Sequence, residues 1–169
     1  MSILLLLFSN YDPIDGHHQN SILGMLNAIY FYRLSHWLYR HHIPILPKLI
    51  TLLIFLIYNS KIPPQAKIGK GSKFGYGGIS VVVHHDSVIG ENCSIGQLVT
   101  IGGGNSKYPG VPTIGDNVRI SCGSIVFGGF TVGNNVVIGA HSVVNFPVPD
   151  NAVVVGNPGR IVRIGGEKC

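Results

Sequence analysis

The sequence predicts a mainly β fold, a triangular parallel solenoid preceded by short α-helices. Three observations carry this expectation. Apolar residues recur every six positions from Ile62 onward, a period that is neither that of a helix nor that of a hairpin strand. Glycine is abundant at 23 residues and charged residues make up only 11% of the chain, as a regular, turn-rich scaffold with a buried core requires. Before Ile62 the apolar spacing is helical instead, so the chain divides into residues 1–60, an N-terminal helical segment, and residues 61–169, the solenoid.

In the first segment Leu23, Leu26, Ala28, Ile29, Tyr30, Leu34, Trp37 and Leu38 share one stripe and predict a helix over 20–42, stopped by Pro44. A second helix is predicted over about 48–58. The stretch "IPILPKLITLLIFLIY", residues 43–58, is interrupted by Lys48 and two prolines. Its unbroken apolar part is shorter than the roughly 20 residues a bilayer span needs. It reads as a buried or interfacial helix, which leaves peripheral membrane contact through 43–58 open. The early run "SILLLLF" lacks a positive flank and is too short for a signal peptide. "KIPPQ" then breaks the helical pattern.

In the second segment the first position of each hexad is Ile62, Ile68 and Phe74, then, after a short slip, Val83, Ile89, Ile95 and Ile101. After an insertion over about 103–113 the steps resume at Ile114, Ile120, Val126, Val132, Ile138 and Val144. The fifth position is small, as in Ser72, Ser87, Cys93, Ser124 and Ser142, with Phe130 the exception. Three hexads close one triangular coil, so the chain forms about four coils. Hexads three apart stack, which sets Val83 beneath Ile101 and lets the insertion leave the solenoid just above His84. A second corner column collects Gly96, Gln97, Ser121, Cys122, Gly123, Gly139 and Ala140. Small residues there would let a long thin ligand lie along the backbone.

The net charge of +5 suits an anionic ligand such as a nucleotide phosphate, or an anionic membrane surface. The basic residues are scattered through the repeats without a nucleic-acid motif, which argues against nucleic acid as a partner. Cys93, Cys122 and Cys169 show no paired spacing. No disulfide framework or cysteine zinc site is expected, and a cytoplasmic setting is the simplest reading.

The segments "IPPQAKIGKG", "VIGENCSIGQLVTIGGG", "IGDNVRISCGSIVFGGFTVGNNVVIGAHSVV" and "VPDNAVVVGNPGRIV" resemble the hexapeptide-repeat acyltransferases, and more narrowly the serine-acetyltransferase-like group. The resemblance implies a left-handed parallel β-helix, a homotrimer, acetyl-CoA as co-substrate and a hydroxyl-bearing acceptor. Where serine acetyltransferases carry their catalytic histidine this chain has Tyr76; Lys61 stands for the assisting carboxylate and Val111 for the acceptor-side histidine. The stretch "FGYGGISVVVH" instead resembles a branch found in surface-polysaccharide clusters, which implies O-acetylation of a sugar hydroxyl. In that branch a histidine before a proline is the base. Its match is His84, with His85 in the proline's place. L-Serine as acceptor, the reaction of cysteine biosynthesis, is the alternative. A non-catalytic solenoid serving metal binding or assembly is the second.

His84 is thus the candidate general base, because an ordinary imidazole, with a pKa of about 6.5, both takes and returns a proton near neutral pH. His85 is the other candidate, expected to point to the opposite side, since adjacent strand residues alternate. Asp86 or Glu91 would orient the ring. Amides of Gly102, Gly103 and Gly104 would polarise the thioester oxygen. Cys122, Gly123, Gly139 and Ala140 would border the pantetheine arm, and Arg160 and Arg163 would meet the nucleotide phosphates. The site is expected between subunits, and transfer is expected to be direct, because Cys93 and Cys122 lie away from His84 in the repeat map. No metal is expected. A zinc site from His84, His85 and His141 would need two corner columns to meet. Of the remaining histidines, "DGHHQN" (His17, His18) and "RHHIP" (His41, His42) read as exposed loops, and His36 has no recognised ligand context.

Overall fold

The computed structural model describes residues 27–104 and 106–169. Leu23, Leu26, His17, His18 and the "SILLLLF" run lie outside the described residues.

Helix α1 spans Ala28–Arg40. Asn27 starts it: its backbone is extended and its side chain accepts the Ile29 N–H at 3.1 Å, as an N-cap does. The helix therefore begins later than the apolar stripe suggested, because a cap decides a helix start more strongly than spacing does. His42, at φ 58°, and Pro44 end it. Helix α2 spans Leu46–Tyr58, with Pro47 in its first turn and Asn59 closing it in the left-handed conformation at φ 52°. Among the described residues no helix is long and apolar enough to cross a membrane.

The solenoid has three faces of short parallel strands. Face A holds Val82–Val83, Thr100–Gly102, Ile125–Phe127 and Val143–Val144. Face B holds Lys67–Ile68, Val88–Ile89, Thr113–Ile114 and Thr131–Val132. Face C holds Lys73–Phe74, Ser94–Ile95, Arg119–Ile120, Val137–Ile138 and Ala152–Val155. Register follows the hexads: Ile68 pairs with Ile89, Phe74 with Ile95 and Val83 with Ile101. The chain makes about four coils, as the repeat predicts.

Every first-position residue points inward and none is more than 6% exposed. Burying each such side chain stabilises the fold by about 1.5–3 kcal/mol. The small fifth positions also bond between coils. Ser72 Oγ donates to the Gly90 carbonyl at 2.8 Å and accepts the Cys93 N–H at 2.9 Å. Phe130 breaks the small-residue rule because its ring anchors the inserted loop, meeting Tyr108 edge-on with centroids 5.8 Å apart.

The bottom coil leaves backbone carbonyls without a coil below, and α1 supplies their donors. Asn27 donates to the Phe74 carbonyl at 2.9 Å, and Tyr32 OH to Ala66 at 2.6 Å. The Arg33 guanidinium reaches the carbonyls of Ile68 and Gly69, and His36 Nδ1 lies 2.7 Å from that of Pro64. The helix thus closes an edge that would otherwise pair with another chain. The slip after Phe74 is the tight turn Gly75–Gly78, whose Gly78 packs against Ala28; a Cβ there would stand 3.1 Å from the Ala28 Cβ. At the other end face C continues as an antiparallel hairpin through Arg160–Ile164 and Glu167–Lys168.

Candidate active site

His84, His85, Asp86 and Ser87 form the corner between faces A and B in the second coil. The His84 N–H donates to the Ile101 carbonyl at 2.8 Å, so this corner lies directly beneath the point where the inserted loop departs, as the repeat predicts. Below it sit Pro63, Pro64 and Ala66, the corner held by α1. The two histidines do not point to opposite sides. They lie on a turn rather than a strand, and their rings stack with centroids 4.1 Å apart.

Their contacts with Asp86 differ. His84 Nδ1 accepts the Asp86 backbone N–H at 3.2 Å. A neutral ring in that contact carries its proton on Nε2. His85 Nε2 lies 3.1 Å from Asp86 Oδ2, within ion-pair reach when protonated, and leaves its Nδ1 unengaged by that carboxylate. His84 Nδ1 is farther from the same oxygen, at 3.9 Å. Asp86 therefore touches both rings, one through its amide and one through its carboxylate. Behind the pair, Ser87 Oγ is buried with no hydrogen-bond partner. Sequence reasoning passed over Ser87, since its hexad position marked it only as small.

The three residues also bring one donor atom each within 4.8 Å of one another, a grouping able to hold a metal ion. His141 does not join them. Its ring covers Gly123 on the corner between faces C and A, where a Cβ would come within 2.5 Å of Nδ1.

That C–A corner is the column expected to receive a thin ligand, and its glycines have another use. A Cβ on Gly96 would lie 2.6 Å from the Cys122 nitrogen, and one on Gly139 would lie 2.9 Å from Val155 Cγ1. The next coil or the hairpin fills the space that each glycine opens, so coil stacking alone requires them. Cys122 and Ala140 lie on the same column, one half-buried and one exposed. Of the three glycines above His84, Gly102 and Gly104 face open space, whereas Gly103 is tight against the Gly110 carbonyl, 2.9 Å from where its Cβ would be. Arg160 and Arg163 are exposed on the terminal hairpin; Arg160 lines a shallow groove with Gly156, Asn157 and Pro158. Glu91 is on the B–C corner, where its N–H donates to Asp116 Oδ1 at 2.7 Å, and it does not reach the histidines' corner. Cys93 is buried and burial pushes its thiol up in pKa, away from a reactive thiolate.

No family model matches the chain. The serine acetyltransferase of Synechococcus elongatus is 38% identical over 140 residues, 82% of this chain and 57% of that relative. That of Staphylococcus epidermidis is 39% identical over 144 residues, 85% of this chain and 67% of the relative. The chain belongs to the serine acetyltransferase family. A solved serine acetyltransferase in complex with CoA superposes with a TM-score of 0.74 at 36% identity, covering 84% of this chain and 57% of that one. The chain thus spans a little over half the length of the first serine acetyltransferase above, and of the CoA-bound structure. These serine acetyltransferases are named for serine, and none of these names points to the polysaccharide branch suggested by "FGYGGISVVVH". Against the family's pattern Tyr76 remains a departure. It is 80% exposed on a left-handed backbone at φ 49°.

Proposed function

We propose that the chain transfers the acetyl group of acetyl-CoA to the hydroxyl of a small acceptor, with L-serine first among acceptors. The observation that carries this reading is the match to serine acetyltransferases over more than four-fifths of the chain, the CoA-bound structure among them. The base comes from the His84–His85 pair. In the contacts described, His85 keeps Nδ1 for the acceptor's proton while Asp86 faces its Nε2. The imidazolium so formed on His85 is the acid that returns the proton to the departing CoA thiolate, while the neutral His84 ring offers its Nε2–H as a hydrogen-bond donor beside it. The hydroxyl oxygen bonds to the acetyl carbon, the carbon–sulfur bond breaks, and the acceptor's proton ends on the CoA thiol, which leaves both rings neutral as they began. The backbone at Gly102 and Gly104, which borders open space on the same corner column, is offered to the developing oxyanion. Cys122, Gly123, Gly139 and Ala140 are the stretch offered to the pantetheine arm, Gly103 adjoins the thioester, and Arg160 and Arg163 are offered to the phosphates. In the homotrimer that the resemblance implies, one subunit's histidine corner would face a neighbour's C–A column.

One observation favours a sugar hydroxyl as a second reading. Tyr76, Lys61 and Val111 replace the three residues expected to handle serine. Thiol release from acetyl-CoA, measured with L-serine and with a panel of sugars, separates the two. Turnover with serine supports the first reading, and turnover with sugars alone replaces it with the second. No thiol release with any acceptor, together with no binding of CoA, removes both.

A further inference from the structure

Apart from Lys48 and Thr51, helix α2 is apolar, a composition found in helices that are largely buried. Here only Pro47, Ile54 and Tyr58 are buried, against α1 and the first coil. The opposite side carries Leu46, Leu49, Leu52, Leu53, Leu56 and Ile57, each between 41% and 70% exposed. These positions fall on one ridge at helical spacing, along a 13-residue helix about 20 Å long. Trp37 and Tyr39, near the end of α1 that leads into α2, are also exposed.

Among the described residues of this part of the chain the charge is one-signed. Residues 27–85, which make α1, α2 and the start of the solenoid, hold seven basic side chains, from Arg33 to Lys73, and no Asp or Glu. Residues 86–169 hold five of each sign. Lys48 is exposed within α2 itself and Arg40 at the end of α1. Two copies joined through their ridges would bring two net cationic stretches together, at an electrostatic cost. An anionic lipid surface meets both demands: acyl chains cover the leucines, and headgroups neutralise the lysines and arginines. Interfacial aromatic residues such as Trp37 suit the same boundary. We propose that the outer ridge of α2 seats the protein on the surface of an anionic bilayer, lying in the interface without crossing it. This docking does not depend on which acceptor is acetylated.

The test is co-sedimentation of the full chain with vesicles of phosphatidylcholine alone and of phosphatidylcholine with phosphatidylglycerol. Binding is expected to the anionic vesicles, with partitioning lowered at least tenfold by the paired substitution Leu49→Asp and Leu53→Asp, and several-fold by raising salt from about 0.1 to 0.5 M. Both leucines are exposed, so the melting temperature should hold. Lys48→Glu serves as a second, milder variant, weakening binding to anionic vesicles only. If the unsubstituted chain sediments with neither vesicle, or binds both equally and without salt dependence, the proposal is overturned. It is overturned too if the leucine pair leaves lipid binding intact but lowers the protein's mass in solution, because the ridge then belongs to another copy.

Discussion

Two corners of the same solenoid follow opposite rules. The B–C corner repeats itself coil after coil. Asn92, Asn117, Asn135 and Asn151 all take the left-handed conformation, with φ between 54° and 59°. Their side chains form a ladder, Asn117 Nδ2 to Asn135 Oδ1 at 3.2 Å and Asn135 Nδ2 to Asn151 Oδ1 at 3.1 Å. Beside them Asp116, Asn134 and Asp150 each accept the N–H of the residue one coil below. The A–B corner repeats nothing. It runs from prolines to stacked histidines, then to a long loop, then to Gly128 and Gly129. A corner whose groups satisfy one another has nothing left for a substrate. A corner where Asp86 engages only His84 Nδ1 and His85 Nε2, and leaves each ring its other nitrogen, does.

The strongest way to break this contrast is to remove the histidines. His85→Ala should lower kcat/KM for acetyl transfer by about 10²–10⁴, and His84→Ala by a similar factor, with the double variant far short of the product of the two because the rings act together. Retained activity in both single variants would make the A–B corner as inert as the B–C one. The converse experiment leaves activity aside and tests the regular corner for stability. Gly90 has no room for a side chain: a Cβ would lie 2.5 Å from the Gly115 carbonyl oxygen and 2.3 Å from Asp116 Oδ1. Gly90→Ala should cost about 3 kcal/mol in urea unfolding, since backbone of the next coil must move.

The regular corner was also the legible one. Hexad spacing alone placed every first-position residue in the core and set Val83 under Ile101, because a stacked coil admits only one register. The histidines' corner was placed by the same count, but their orientation was not. Alternation holds along a strand, and the two rings sit on a turn. Nor does sequence spacing reveal that Asp86 meets one ring with its amide and the other with its carboxylate. The glycines of the C–A column are ambiguous in sequence for a related reason. A glycine that admits a ligand and one that admits the next coil look alike there, and only the atoms around Gly96 and Gly139 show that coil packing needs them.

A prediction of intermediate size concerns what holds the A–B corner from below. Tyr32 OH donates to the Ala66 carbonyl and accepts the Ile68 N–H at 3.2 Å, and both partners are buried. Tyr32→Phe should cost about 2 kcal/mol, the penalty for orphaning buried backbone groups. Burial also pushes the Tyr32 hydroxyl up to about 12, against the pull of the Arg33 charge and the Ile68 bond. A folded-state pKa above the unfolded one means this stability is intact below pH 10 and declines as pH rises from about 10 to 12, by about 3 kcal/mol in all. Burial raises Tyr58 as well, so some alkaline decline persists in the variant. Unfolding free energies at pH 9 and pH 11 should differ less in Tyr32→Phe than in the unsubstituted protein, while activity at neutral pH stays measurable.

The smallest effect belongs to a single rung of the ladder. Asn135 combines two contributions: a left-handed backbone at φ 57°, and side-chain bonds to Asn117 and Asn151. Alanine loses both, for an expected cost of about 1.5 kcal/mol. Glycine loses the bonds but accepts the backbone angle freely, and should cost only about 0.5 kcal/mol. Equal costs in the two variants would mean that the side-chain bonds alone stabilise the corner and that its backbone carries no strain. A glycine variant at full stability would mean the reverse, with the ladder contributing nothing beyond the tolerance of asparagine for that angle. Either outcome changes what makes the regular corner regular. Urea midpoints for the two variants, measured at unchanged slope, decide it.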